Sequence, residues 1–458
     1  MYNPSDKNSI VSFAQKLLNR CLLDCIEKTA AEDLYKGKGS FGQILEKHYF
    51  GYDLNSDSEP DFPTAGLELK TAPLKTLKSK QYRSKERLVL NIINYIDVVE
   101  ESFETSSFLK KNAQILLVFY LHEPEKTVLE YQVKLVGEWS FPQTDLEIIR
   151  NDWNFIVEKI RAGKAHELSE GDTFYLGAST KGANASSLRA QPFNEKRAMQ
   201  RAFSFKQGYV NHVIATLAGE SKPQYGKLLT ALAAKTKTIE AVVLGRLQPY
   251  YGKTIAKIIA ETGVALNVTA KNFTASFTNL LLGIELDKQI EEFEKAEIIV
   301  KTLRLDERNL PKESMSFPNF KYEEIIHLHW DNCDFKQILE HKFLLVFVKY
   351  NGDELYFDKA VFWNMEQLHI REAQRVWLAT QALVSEGSIV KEIKGGRRYT
   401  HFPTKAFSAV AHVRPHALNA DDTYPLPVPD RQTGLTAYTK HCFWLNNDFI
   451  RDEIYLKS

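Results

Sequence analysis

The chain has 458 residues, 44% of them hydrophobic and 26% charged, with a formal net charge of +1. That length exceeds one ordinary core and predicts two or three domains, and the near-neutral balance excludes a polycation, so a nucleic-acid partner has to be met by local basic patches. No apolar run approaches the ~20 residues that span a bilayer, "MYNPSDKNSIVSFAQ" lacks the form of a signal peptide, and four cysteines make no disulfide framework, which together point to a reducing cytoplasm.

Residues 8–34 read as a helix, because Ile10, Phe13, Leu17, Leu18, Leu22 and Ile26 recur at helical spacing. "SFGQILEKHYF" (40–50) resumes the pattern as a second helix carrying Glu46. Residues 60–74 read as a strand in which Glu68 and Lys70 share the face opposite Leu67 and Leu69, since side chains alternate with period two. Asp61 lies seven residues before Glu68, where the preceding segment can double back onto that face. "RLVLNIINYI" (87–96) is an apolar segment of either type, and "AQILLVFYL" (113–121) is a buried strand. "IRNDWNFIVEKIRAGKAHELS" (149–169) is helical, and "YLGASTKGANASSLRAQPF" (175–193) is loop-rich and basic. "SKPQYGK" (221–227) is the most linker-like stretch, which predicts domains at 1–216 and 217–458. The alternation of strands and helices predicts an α/β protein, a mixed sheet flanked by helices.

The chain also repeats itself. "GSFGQILE" (39–46) is echoed by "ASFTNLLL" (275–282), and "DFPTAGLELKT" (61–71) aligns without gaps on "EFEKAEIIVKT" (292–302). "AQILLVFYL" matches "HKFLLVFVKY" (341–350), "STKGANA" (179–185) matches "VRPHALNA" (413–420), and "AFSFKQGYV" (202–210) matches "CFWLNNDFI" (442–450). Five matches in one order predict a duplicated domain. The copies differ where chemistry would sit: Glu46 aligns with Leu282 and Glu68 with Ile299, while Lys70 keeps Lys301 and Asp61 keeps an acid, Glu292. The pattern predicts one active copy and one retired copy.

Paired carboxylates suit Mg²⁺, which keeps several waters and binds substrate phosphate oxygens. Asp61 and Glu68 are the candidate ligands, with the main-chain carbonyl of Leu69 as a third and Glu46 as a further acid. Such a metal lowers the pKa of a bound water and offsets charge on a scissile phosphate. Lys70 is placed to orient or help deprotonate that water, or to stabilise the transition state. The competing reading, a solvated strand face of mixed charge, leaves both the upstream Pro-Asp and the altered second copy unexplained.

Together "KGSFGQILEKHYFGYD", "PDFPTAGLELKTAPL", "FETSSFLKK" and "GASTKGANASSLR" closely resemble the MutH-like family. Its members include mismatch-repair nicking endonucleases and two-domain type II restriction enzymes that cut at GATC, built on a restriction-endonuclease-like core with a PD…ExK signature. The resemblance runs through almost the whole chain. It implies duplicated MutH-like domains, with Asp61, Glu68, Lys70 and Glu46 as the catalytic set and Lys111 as a further lysine important for cleavage. It also implies that Lys181 lies in a loop reading bases in the major groove, and that the second copy binds an effector DNA site without cutting. The nicking enzymes have Arg-Pro-Lys where this chain has Ser179-Thr180-Lys181, and a base-contacting tyrosine where it has Ser204. The second copy keeps Arg414-Pro415-His416, nearer the family's loop.

Two basic stretches fit a DNA partner: residues 69–87 hold seven Lys or Arg against one Glu, and residues 181–206 hold six against Glu195. Base readout would come from Lys181 to guanine or Asn184 to adenine, although Asn184 serves equally as a turn residue. The glycines of "GKGSFGQI" follow a helical segment and no kinase motif succeeds them, so nucleotide binding is set aside. Cys21, Cys25 and the "HLH" at 327–329 lack metal-site partners at zinc spacing. The reading is a Mg²⁺-dependent endonuclease that cuts double-stranded DNA at 5′-GATC-3′ and leaves 5′-phosphate ends, a monomer in solution or a dimer formed on DNA. Its rivals are a methyl-directed nicking endonuclease and a non-cleaving DNA-binding regulator.

Overall fold

Two strands distant in sequence but paired in parallel organise each half of the chain. The computed structural model describes residues 2–26, 41–53, 59–182, 186–220, 224–268, 270 and 272–458. These divide into two compact units, Met1–Val242 with Asp287–Glu297, and Val243–Leu286 with Ile298–Ser458. The linker-like residues near 221 therefore do not mark the divide, and a short later segment returns to the first unit.

In the first unit helix α1 (Lys7–Gln15) starts at Asp6, whose carboxylate accepts from Asn8 N. It stops far short of the expected residue 34, because Asn19 adopts a left-handed φ of 61° and the chain then makes a single 3₁₀ turn, Leu22–Asp24. Helix α2 (Phe41–Ile44) runs on into a π-helical turn, Leu45–Phe50. The strand expected from residue 60 begins only at Glu68, after a 3₁₀ turn (Pro63–Ala65) that Gly66 closes at φ 62°. Strands β1 (Glu68–Thr76), β2 (Tyr82–Ser84), β3 (Leu88–Ile92), β4 (Gln114–Leu121) and β5 (Val133–Ser140) follow, with helix α3 (Ser107–Asn112) before β4 and α4 (Gln143–Arg161) after β5. The first sheet has the order β2-β1-β4-β5, with β1 parallel to β4 and the other pairs antiparallel. Burial on both faces explains the unbroken apolar run of β4.

Residues 175–193, read as loop, instead contain β6 (Leu176–Thr180) and β7 (Leu188–Gln191). The small residues Gly177, Ala178 and Ser179 give β6 little strand propensity, and pairing with β9 (Arg201–Phe205) overrides it. Strands β3, β9 and β6 form an antiparallel sheet, β7 forms a hairpin with β8 (Asn194–Met199), and α5 (Gln207–Leu217) follows β9.

The second unit repeats this plan. Helix α6 (Phe273–Leu282) precedes β10 (Ile299–Leu305), β11 (Met315–Phe320), helix α7 (Asp334–Leu339), β12 (Phe343–Asn351), β13 (Glu354–Trp363) and helix α8 (Gln367–Ser385). A hairpin of β14 (Val390–Lys394) and β15 (Arg397–Thr400) leads to β16 (Ala411–Pro415), β17 (Thr423–Pro425), β18 (Ala437–Thr439) and β19 (His441–Leu445). Strand β10 is parallel to β12 and β12 antiparallel to β13, while β19 lies antiparallel between β11 and β16. The register confirms the alignment of the copies. Glu68 pairs with Ile115 in one sheet, and their aligned counterparts, Ile299 and Phe343, pair in the other. The helices that follow the third strands, α4 and α8, both have 19 residues. The fold is α/β, mixed sheets flanked by helices, with a MutH-like domain in the first unit and the same strand pairing repeated in the second.

Candidate active site

Doubling back of the chain before β1 builds the site. Phe62 N donates to Leu67 O at 3.0 Å and Leu67 N to Phe62 O at 3.3 Å, a closed loop over the 3₁₀ turn. Asp61 is thereby laid against the start of β1: its Oδ2 accepts from Leu69 N at 2.9 Å, and its own N–H donates to Glu68 Oε2 at 3.1 Å. Glu68 is 1% exposed. Its other oxygen, Oε1, takes the Lys70 ammonium at 2.5 Å and faces that of Lys111 at 3.8 Å. Lys111 comes from α3, whose first turn is held by the Ser106 hydroxyl accepting from Leu109 N.

Two cations beside one carboxylate ordinarily hold its pKa down. Here burial outweighs them and pushes Glu68 up to about 7, with Asp61 adding to the rise. Glu46, on the π-helical turn after α2, is also pushed up to about 7, first by burial and then by Asp61, against Lys70. Gly42 lets the helix approach this closely, because a Cβ there would lie 3.0 Å from Thr71 Oγ1. Glu46 and Glu68 thus crowd Asp61, and both hold their protons more tightly than free carboxyls. Among the described residues no group of three or more His, Cys, Asp or Glu is arranged as a metal cage. Two carboxylates and a carbonyl are the smaller, hard-oxygen set that suits a hydrated divalent ion.

Tyr52 went unrecognised in the sequence, where its only signal is its place at the end of "EKHYFGYD". Its hydroxyl is buried without a hydrogen-bond partner among the described residues, and its pKa is pushed up by burial and by Asp61, Glu46 and Glu68. Asp152 was missed too. It accepts from the amides of Phe174, Tyr175 and Leu176 and so fixes the entry to β6.

The family model for the DNA mismatch repair enzyme MutH matches residues 50–152, a span that contains Asp61, Glu68, Lys70 and Lys111. The type II restriction enzyme Sau3AI of Staphylococcus aureus is 35% identical, over 98% of this chain and 98% of its own. The chain belongs to the MutH-like family. Its place is on the type II restriction-endonuclease branch. The DNA mismatch repair proteins MutH of Vibrio campbellii and Vibrio parahaemolyticus are 27% and 29% identical, over 46% and 42% of this chain and 94% and 84% of their own. Nucleases of this fold act on double-stranded DNA and depend generally on a divalent metal.

The expected DNA-contacting residues fare unequally. Lys181 is exposed at the end of β6, its N–H held by Gln200 O at 2.8 Å. Asn184 lies outside the described residues. Ser204 does not belong with them, because it is 1% exposed in the middle strand β9, between Val89 and Gly177, where no base can reach it. In the second unit Arg414 and His416 are exposed beside Trp444, the Arg414 guanidinium stacked 3.8 Å over that ring. The basic stretches also thin out. Arg83 and Arg87 pair with Glu220 and Glu170, and Arg201 and Lys206 are buried on the carbonyls of Ala178 and Thr173. Lys75, Lys78, Lys80 and Lys85 stay exposed, as do Lys181, Arg189, Lys196 and Arg197. The second copy is also emptier of acid than expected. Glu292, aligned with Asp61, belongs to the first unit and accepts from the amides of Leu228 and Leu229. Among the described residues no helix is long and apolar enough to cross a membrane.

Proposed function

We propose that the first unit hydrolyses double-stranded DNA at 5′-GATC-3′ with Mg²⁺, leaving 5′-phosphate ends, and that the second unit binds an effector DNA site without cutting. The observation that carries the reading is the convergence of Asp61, Glu68 and Lys70 at the mouth of β1. Asp61, Glu68 and the Leu69 carbonyl would hold Mg²⁺. When bound, the ion supplies a water of lowered pKa and charge to offset the scissile phosphate. Lys70 orients the attacking water from its hydrogen bond to Glu68, and Lys111 adds a second positive charge toward the phosphate as negative charge builds. Glu46, with a carboxyl near 7, is matched to taking the water's proton at neutral pH. Lys181, and Asn184 in the same loop, are assigned to base reading in the first unit, and Arg414 and His416 to effector DNA in the second. The reaction belongs in the cytoplasm, with the protein a monomer in solution or a dimer formed on DNA.

The test is to incubate the protein with unmethylated GATC-containing plasmid, with Mg²⁺ or EDTA, and to sequence the product ends. Mg²⁺-dependent double-strand cuts at GATC are expected. Nicked circles alone would replace this reading by a repair-type nickase, and binding without cleavage by a DNA-binding regulator.

A further inference from the structure

The second unit keeps the lysine of the catalytic strand after losing its acids, and the surrounding cleft shows what that lysine is left to do. Lys301 pairs across β10 with Leu345 as Lys70 pairs across β1 with Leu117, so the two lysines hold one register position in the two copies. Leu282 and Ile299 stand where the first unit has Glu46 and Glu68. A cleft of about 480 Å³ opens along β10 from Lys301 onward, lined by Lys301, Thr302, Arg304, Lys312, Ser316 and Tyr350. Among the described residues of that lining Glu313 is the one acid against three cations.

Two of these groups are set to donate and meet no acceptor among the described residues. The Thr302 hydroxyl is buried without a hydrogen-bond partner among the described residues. Lys301 has no carboxylate against it among the described residues, and burial alone pushes its ammonium pKa down. A desolvated cation and an orphaned hydroxyl in the lining of one cleft are each costly unless a ligand meets them, and an anion can meet both. Lys312 closes the rim, its ammonium 4.3 Å over the Tyr350 ring and its N–H donating to Arg304 O at 2.8 Å. Strand β11 then runs from this cleft to the DNA-reading candidates: Ser316 lines the cleft, and Asn319 bonds the His416 ring at 3.0 Å. Three residues of strand span about 10 Å, a distance over which one duplex can engage both.

We propose that this cleft is a metal-independent seat for a backbone phosphodiester of DNA, with Lys301 and Thr302 at its floor and Arg304 and Lys312 at its rim. The proposal rests on the reading of the second unit as a DNA-binding domain and names the site within it. An anion can enter here without a metal, because no carboxylate stands against Lys301 among the described residues.

The experiment measures binding of a fluorescein-labelled GATC duplex to the full chain in EDTA, by anisotropy over a KCl series. Lys301→Met and Lys312→Ala are each expected to weaken binding about five- to tenfold and to lower the salt slope by about 0.9, as for loss of one phosphate contact. Lys301→Arg should restore most of the affinity. Lys312 is exposed, so its variant carries the test if Lys301→Met fails to fold. Unchanged affinity and slope in both variants, with wild-type protein still cutting in Mg²⁺, overturns this site alone. Failure of the wild type to bind the duplex overturns the DNA-binding reading itself. Thermal stabilisation by inorganic phosphate that is lost in Lys301→Met, with DNA affinity unchanged, overturns DNA as the source of the phosphate.

Discussion

The Lys70 ammonium lies 2.5 Å from Oε1 of Glu68, a carboxylate that is otherwise almost sealed from water. A pair so placed is wasteful as a structural tie, because desolvation of the acid offsets much of the Coulomb gain. It is well suited to a reaction in which charge develops beside it. Lys70→Ala and Glu68→Ala are each expected to lower single-turnover cleavage of a GATC plasmid roughly 10²-fold or more, the scale of losing one transition-state contact. Binding of the same DNA in EDTA should stay close to wild type. Near-normal cutting by Glu68→Ala would remove this cluster from the chemistry.

Glu46 makes the apo site sensitive to pH. Its carboxyl is raised from 4.5 to about 7 on folding, so the folded state holds the proton more tightly than the unfolded chain. The resulting stability is fully present below 4.5 and is lost as pH rises through 7. Glu46→Gln removes the ionisation. In EDTA at pH 8 the variant should melt about 2–4 °C above wild type, and the difference should vanish at pH 4. A variant equally stabilised at both pH values would show that burial, not charge, sets the effect.

The two residues that the family resemblance implies to lie near bases should behave oppositely. Lys181→Ala is expected to weaken DNA binding and to lower the salt slope by about 0.9, since this residue is exposed just after β6. Ser204→Ala should leave affinity and the recognised sequence unchanged, because its hydroxyl sits inside the β3-β9-β6 sheet. A relaxed sequence preference in Ser204→Ala, read by sequencing cut ends from random-flanked plasmids, would contradict that placement.

Local pattern made much of this visible in advance. Period-two alternation put Glu68 and Lys70 on one face, and a gapless repeat put Lys301 in register with Lys70, as the strand pairing bears out. What stayed hidden depends on contacts between distant segments. Burial of Ser204 is decided by strands on both sides of β9. Helix α1 ends at Gln15, and the chain turns away at a left-handed Asn19 that no periodicity reveals. Glu292 sits at the aligned position of Asp61, yet its carboxylate is engaged by amides far upstream, at Leu228 and Leu229. Sequence alignment records position, whereas the direction of a side chain is set by what packs around it.

The same displacement decides how the chain can be cut into working pieces. Residues 287–297 belong to the first unit, and there the ammonium of Lys295, on the helix Glu291–Ala296, lies 2.9 Å from Asp145 and 2.8 Å from Glu291. Asp145 and Lys295 are 2% and 5% exposed, so removing either partner leaves an uncompensated buried charge. Lys295→Met should therefore cost about 3–5 kcal/mol in urea unfolding of the first unit. Asp145→Asn combined with Lys295→Met should recover part of that loss, since no lone charge remains. A fragment ending at residue 216 or 242 lacks the whole segment and should be less stable than one ending at 297 by at least the amount lost in Lys295→Met. Equal urea midpoints for the 242 and 297 fragments would show that the segment adds nothing to the first unit.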